Sequence, residues 1–400
     1  MDVGPGARST VWDPRNQDRC CGVTPDAIVV AMVSDTWVDA ERRDFYTTED
    51  QFILSALDKG SVRELLVADH PRGILSQLKR RAAGERPAPS TSFLSGVRPL
   101  TVRTELPDSE KAVTRRYRIY DRQVDVAMKR RHITSPVLVT FNVWHAAYGN
   151  HESYRRVYFY AQDDEREFPE TSAAVARRLD RAYQLAAERT RVVAVSRVLL
   201  DRIGGVPNGV VVPNGIDPAL WLRAPRGVRR DERGAPVAAY AGTIDKRLDV
   251  DAVRELVASG FVVRLAGPVA DSEVGADLKT MPGVELVGNL SRTGVVELLM
   301  SSDVCFLAHR RSRLTESMSP LKAYEYACSG RPVVSSRLAG IEGDQVLRQA
   351  VRFVDDGDDF GAAALAALAT GPIAEDERIA RVESLSWRKR HSSLLEEMLK

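Results

Sequence analysis

Cysteine is scarce in this chain of 400 residues. The four present, Cys20, Cys21, Cys305 and Cys328, form no Cys-x-x-Cys pair and show no histidine at the spacing of a zinc site. A disulfide-stapled scaffold and a structural zinc site are therefore excluded, and reduced thiols in the cytoplasm are expected. Long apolar runs are missing too: no stretch reaches the about 18 residues a membrane-spanning helix needs. The first 25 residues lack the basic-then-apolar order of an export signal, so the expectation is a cytoplasmic protein. Charge of one sign is not in excess, since 57 Lys plus Arg against 55 Asp plus Glu leaves +2, which gives no bulk reason for a polyanionic partner. No Gly-x-Gly-x-x-Gly follows any candidate strand, which argues against a nicotinamide enzyme.

What is present reads as a globular chain with 44% hydrophobic and 28% charged residues, and at roughly 150 residues per domain its length predicts more than one core. The first 25 residues, rich in Gly, Pro and charge, are expected to form a flexible arm. Then short β-branched runs alternate with helical patterns: AIVVAMV (27–33), VLVTFNV (137–143), VYFYA (157–161), VVAVS (192–196) and VVVPNG (210–215). After APRGVRRDERGAP (224–236) the pattern restarts with VAAYAG, FVVRLAG, VELVG, VCFLA, RPVVSS and VRFVD. Continuous apolar strands separated by helices predict parallel sheets covered on both faces, hence two doubly wound α/β domains at 26–214 and 215–375. Residues 376–400 are expected to be one charged, amphipathic helix packing back across the domains.

The most informative segment is SPLKAYEYACSGRPVV (319–334). Ser319 is a candidate N-cap and Pro320 suits the first helical position, so unpaired amides and the positive end of a helix would form an anion site. Leu321, Tyr324 and Cys328 make the buried stripe, while Lys322 and Glu325, three apart, share another face. Taken alone, such a pair is equally well a surface ion pair.

This segment resembles the donor-site signature of retaining GT-B glycosyltransferases of the family 4 type, in the bacterial branch that reads SPLK, then aromatic-Glu-Tyr, then a small-Gly-x-Pro-Val-Val end. VVAVSRVLL (192–200), VVVPNGIDPALW (210–221), YAGTIDKRLD (240–249), VVRLAGP (262–268) and GVELVGNLS (283–291) follow the family's order. The resemblance implies a GT-B fold, two Rossmann-like domains facing each other across a cleft, and transfer of a sugar from a nucleoside-diphosphate sugar to a hydroxyl acceptor with retention and without a metal. It places the backbone amides of Ser319, Leu321 and Lys322 at the donor diphosphate and Glu325 on the ribose hydroxyls. Arg247, then Lys246, is the diphosphate-binding base, in a loop with Gly242 and Thr243. Asn289 and Leu290 lie in the loop that holds the base, with a UDP-sugar slightly favoured. One departure stands out: the second glutamate expected eight positions before Glu325 is Ser317, with Glu316 beside it. The Asn-Gly of PNGID (213–217) reads as turn chemistry.

The first domain is expected to bind the acceptor, a glycan, a lipid-linked molecule or a small molecule. Asn142, Trp144, Asp163 and Asp164 lie past the carboxyl ends of strands, where open α/β sheets hold ligands; only one of the two adjacent aspartates can face a cleft. His145 is a candidate catalytic histidine with a structural role as its alternative. No metal ligands and no cofactor beyond the nucleotide sugar are implied. Residues 51–131 hold 17 basic against 9 acidic residues, an excess that suits either solvated helix faces or peripheral contact with an anionic membrane, with nucleic acid a minor alternative. A nucleotide-sugar 2-epimerase and a non-catalytic sugar-nucleotide binding module remain the rival readings.

Overall fold

The computed structural model describes residues 25–33, 35–58, 62–101, 106, 108–204, 209–223 and 234–400. The arm expected at 1–25 and the stretch 224–236, apart from their last residues, lie outside these. The chain divides into two compact units, one of residues 1–194, 200–210 and 393–400, the other of 195–199 and 211–392.

The first unit carries strands β1 (Ala27–Ala31), β2 (Glu64–Ala68), β3 (Arg72–Gly73), β4 (Leu94–Val97), β5 (Leu100–Thr101), β6 (Pro136–Thr140), β7 (Arg156–Ala161), β8 (Arg191–Ala194) and β9 (Val210–Val211). Seven form a sheet in the order β4-β2-β1-β6-β7-β8-β9, and β3 pairs with β5. Parallel pairing runs from Ala27↔Glu64 to Ala31↔Ala68 on one side of β1 and from Ala27↔Pro136 to Ala31↔Thr140 on the other. Every residue of β1, β2 and β6 is buried, as the continuous apolar runs require of strands covered on both faces. The run at β2 begins with Glu64, which breaks that pattern in the sequence. The structure satisfies it with Arg131 at 2.5 Å and the Ser95 hydroxyl at 2.8 Å.

The second unit carries β10 (Val237–Ala241), β11 (Val262–Ala266), β12 (Val284–Gly288), β13 (Val304–Leu307), β14 (Val333–Ser336) and β15 (Val351–Val354). They form one parallel sheet in the order β12-β11-β10-β13-β14-β15. Both sheets reverse direction once, beside β1 and beside β10, and in open α/β sheets the ligand crevice lies past the strand ends at that reversal.

Two local expectations are corrected. Residues 376–400 are two helices, Glu375–Ser384 and Trp387–Met398. The break falls where Ile216 forms a bridge with Ser386: the Ile216 N–H donates to the Leu385 carbonyl, and the Trp387 N–H donates to the Ile216 carbonyl. Those backbone groups cannot also serve a continuous helix. Helix Leu321–Cys328 is capped at Pro320, without a side-chain bond. Ser319 lies one residue outside, its hydroxyl 2.7 Å from the Tyr324 hydroxyl.

A buried carboxyl stands just beyond β1. Glu49 is 2% exposed and accepts the Val33 N–H at 3.0 Å. Burial, then the neighbouring Asp50, pushes it up to about 8. Its pKa is higher folded than unfolded, so the native state holds the extra proton between the two values, and stability falls as pH rises from the ordinary carboxylate range towards 8. The slope from this group is at most ~1.4 kcal/mol per pH unit. Urea midpoints measured from pH 5 to 9 are expected to fall, and Glu49→Gln to flatten that fall; an unchanged slope in the variant would clear Glu49 of the effect.

Candidate functional site

In the second unit the loops after β10 and β13 meet at the sheet reversal. Leu248 and His309 form an antiparallel bridge, the Arg310 N–H donates to the Arg247 carbonyl at 2.7 Å, and the Asp249 N–H donates to the Ala308 carbonyl at 2.9 Å. Gly242 has φ +149°, and a Cβ there would fall 1.8 Å from Lys322 Cε, so the lysine stem lies directly across the glycine backbone. Lys322 Nζ donates to the Tyr240 hydroxyl at 2.8 Å, which donates in turn to the Thr243 carbonyl at 2.9 Å. Tyr326 ties the same helix to β10, accepting from the Ala241 N–H at 2.7 Å and donating to its carbonyl at 3.0 Å. From the other side Asn214 of the PNGID turn donates to the Ser319 carbonyl at 2.5 Å.

Burial, reinforced by Arg247 and opposed by Asp245 and Glu325, pushes the Lys322 ammonium down to about 7. Burial, with Asp245, pushes the Tyr240 phenol up, so it remains a donor. His309 is 2% exposed, and neither ring nitrogen has a hydrogen-bond partner among the described residues. Burial, Lys322 and Arg247 hold its ring neutral.

Arg247 is half-buried and grips Asp245 through Nε at 3.0 Å and Nη2 at 2.6 Å. Burial opposes ionisation of Asp245, but the hydrogen bonds and charge of Arg247 outweigh it and hold the carboxyl below its usual range. Lys246 is 76% exposed and lies 3.7 Å from Asp271. Of the two bases, Arg247 therefore stands nearer Lys322 in its electrostatics, while Lys246 extends to solvent. Glu316 is bound to Arg311 at 2.7 Å and accepts the Ala339 N–H at 3.1 Å, and Ser317 is fully buried. Asn289 and Leu290 are exposed on the loop past β12, and Glu325 is half-buried one turn from Lys322.

In the first unit a cavity of about 440 Å³ opens at the reversal beside β1. Asn142, Trp144 and Asp163 line it, as do His70, Arg116 and Glu165, which the sequence reading did not single out. Asn142 is held at both ends: its amide donates to the Val33 carbonyl at 3.1 Å and its oxygen caps the following helix through Trp144 and His145 N–H groups. Trp144 stacks on Tyr148 and carries the Arg178 guanidinium 5.2 Å from its ring centre. Asp164 is fully buried against Arg166 at 2.6 Å and caps the short 3-10 turn Glu165–Glu167. Of the two aspartates, Asp163 is thus the one in the cavity. Burial, with Asp163 and Asp164, pushes Glu165 up to about 7. Burial, with Arg116 and Arg72, pushes His70 down to about 3. His145 does not line this cavity. It is 2% exposed, Nε2 is 2.8 Å from Asp121 and Nδ1 is 3.1 Å from the Thr140 hydroxyl, so both nitrogens are engaged with protein and the ring has none left for a substrate. Among the described residues no group of three His, Cys, Asp or Glu side chains is placed to hold a metal.

With this geometry in hand, residues 236–370 match the family model described as glycosyl transferases group 1. That span contains Gly242, Arg247, His309, Lys322 and Glu325. No curated protein sequence matches the chain. Among solved structures, the chain is similar to sucrose-phosphate synthase from Thermosynechococcus elongatus, at 13% identity and TM-score 0.62 over 93% of this chain and 98% of that one. It is similar to a lipopolysaccharide outer core galactosyltransferase at 12% identity and TM-score 0.62, over 93% of this chain and 100% of that one. It also resembles α,α-trehalose 6-phosphate synthase from Burkholderia multivorans, at 11% identity and TM-score 0.60 over 94% and 98% of the two chains. The likeness shows a GT-B fold of two α/β domains with parallel sheets.

Proposed function

We propose that the protein is a glycosyltransferase of the family 4 type that moves a sugar from a nucleoside diphosphate, with UDP slightly favoured, to a hydroxyl acceptor, with retention and without a metal. The observation that carries this reading is the Lys322 side chain laid over Gly242 at the sheet reversal, inside the segment that matches glycosyl transferases group 1. A diphosphate there meets the amides of the helix that starts at Leu321, the Lys322 ammonium and Arg247, while Glu325 accepts from the ribose hydroxyls. Lys246 supplies a second, solvated cation, Thr243, Asn289 and Leu290 lie in the surrounding loops, and Glu316 stands on the short helix Arg313–Ser317.

In the reaction, the acceptor oxygen forms its bond to the anomeric carbon on the face from which the diphosphate departs. The old carbon–oxygen bond breaks with its electron pair going to the diphosphate, and a diphosphate oxygen takes the hydroxyl proton. Electrostatic stabilisation of the leaving group by Lys322 and Arg247 supplies most of the acceleration. The acceptor binds in the cavity of the first unit, where Asp163 and Glu165 accept from hydroxyls, Trp144 offers an aromatic face, and Asn142 holds the wall.

Calorimetric titration of UDP, GDP, TDP and ADP into wild type, Arg247→Ala and Glu325→Ala tests the donor side. One diphosphate is expected to bind, and each substitution to weaken it by about 1.5–3 kcal/mol, the scale of lost charged hydrogen bonds. Binding that ignores both substitutions removes the assignment. Incubating the bound nucleotide's sugar with enzyme alone separates transfer from epimerisation, since only an epimerase changes the sugar without an acceptor.

A further inference from the structure

Part of the basic excess of residues 51–131 is gathered on one helix face. On helix Glu110–Arg130, Lys111, Arg115, Arg118, Arg122 and Lys129 are all exposed. Their spacing of four, three, four and seven residues puts them on one face of a 3.6-residue helix, over roughly 27 Å at about 1.5 Å per residue. None of the five side chains makes a salt bridge or hydrogen bond to another described residue. Of the acid groups of the helix, Asp121 is buried on His145 and Glu110 occupies the first turn, while Asp125, half-buried, lines a pocket with Arg118 and Arg122 at one border of the stripe, which leaves five cations against one carboxylate on this face.

Exposed aliphatic side chains accompany this stripe. Ile119 is 40% and Val126 47% exposed on the same helix. Leu100 of β5, 44% exposed, is joined to it by Gln123, which exchanges hydrogen bonds of 2.9 Å with the Leu100 N–H and carbonyl and donates to the Ile119 carbonyl. The strand β5 pairs with β3, which runs straight into helix Ile74–Ala82. That helix turns Ile74, Leu75 and Leu78 outward, at 50, 77 and 58% exposure, and carries exposed Lys79 and Arg81 in its last turn. Two helices and the strand linking them thus present aliphatic tips beside exposed cations.

We propose that this surface of the first unit docks on an anionic phospholipid bilayer, the leucines and Ile74 entering the interfacial layer and the lysines and arginines lying among the lipid phosphates. Charge complementarity selects an anionic partner, and each Lys or Arg near such a surface contributes about 1 kcal/mol. The aliphatic tips select lipid over nucleic acid: a single strand would be met by stacking aromatics, and a duplex gains nothing from exposed leucine. No helix among the described residues is long and apolar enough to cross a membrane, so the contact is peripheral.

The test uses the full chain without nucleotide, which keeps it independent of the donor-site reading. Flotation with vesicles of phosphatidylcholine plus phosphatidylglycerol, against phosphatidylcholine alone, is expected to show binding only to the anionic set. Lys111→Gln/Arg115→Gln/Lys129→Gln is expected to weaken it on the order of a hundredfold, at about fivefold per cation. Leu75→Asn/Leu78→Asn is expected to weaken it at least about tenfold with an unchanged melting temperature. If that pair alters the melting temperature, Ile119→Gln/Val126→Gln on the other helix takes its place and must weaken binding likewise. Equal binding to both vesicle types, indifference to the aliphatic substitutions, or tighter binding to duplex or single-stranded DNA than to anionic vesicles overturns the proposal.

Discussion

Replacing Lys322 by methionine is expected to lower sugar transfer by about two to three orders of magnitude, the scale seen when one preorganised donor to a developing anion is removed. Methionine keeps the length and apolar stem of the side chain and takes away only the ammonium that bonds Tyr240 and would meet the departing diphosphate. The effect should carry a pH signature. In the free protein the ammonium is pushed down to about 7 because burial and Arg247 disfavour its charge. A diphosphate favours the charged form, so binding takes up a proton above neutrality, and donor affinity falls by up to about tenfold per pH unit above 7. Calorimetry in buffers of different ionisation enthalpy reads that proton directly. The methionine variant should lose both the proton uptake and the slope. Arginine should not rescue it, because the stem already lies against the bare backbone of Gly242 and its φ of +149° admits no side chain to be reshaped there. A methionine variant with wild-type rate would take Lys322 out of the chemistry.

The parts of this site that local sequence carries were legible before the structure. Strand after strand in the second unit is a continuous apolar run, and the helix at Leu321 announces itself by a proline just before it and a glycine just after. What local sequence could not carry is the meeting of distant segments. His309 follows an apolar strand with no motif around it. It enters the site only because the sheet reverses between β10 and β13 and the two loops zip together at Leu248 and His309. Tyr240 reads as one more strand aromatic until Lys322, 82 residues later, is found bonded to its hydroxyl. On the acceptor side, Glu165 lies inside an acidic run, QDDEREF (162–168), in which periodicity does not separate a cavity carboxyl from one committed to an arginine. The short 3-10 turn capped by Asp164 makes that separation. The basic stripe on Glu110–Arg130 was visible as composition, but its convergence depended on a helix of 21 residues running unbroken through it.

The largest expected loss of stability comes from a residue that touches no ligand. Arg378, on helix Glu375–Ser384, has a side chain 1% exposed. Its Nη1 donates to the Trp221 carbonyl at 2.9 Å and the Cys328 carbonyl at 3.4 Å, while Nε and Nη2 hold Glu375 at 3.1 and 2.6 Å. Cys328 ends the helix that carries Lys322 in its first turn, and Gly330, at φ +73°, turns the chain away; a Cβ at Gly330 would fall 2.8 Å from Arg378 Cδ. The guanidinium thus closes the far end of the site helix with hydrogen bonds that the helix cannot make for itself. Arg378→Met fills most of the volume but leaves those carbonyls buried without a donor, and each such orphan costs about 1–3 kcal/mol. A loss of ~2–5 kcal/mol is expected from the two orphaned carbonyls. Hydrogen exchange across β10 to β15 reads this unit separately from the other, which matters because a two-unit chain need not unfold in one step. Arg378→Lys keeps the charge but cannot present the planar fork, so it should recover only part of the loss. A methionine variant whose strands exchange as slowly as wild type would show that the helix end is held by packing alone, and would leave the geometry around Lys322 resting on Tyr326 and Asn214.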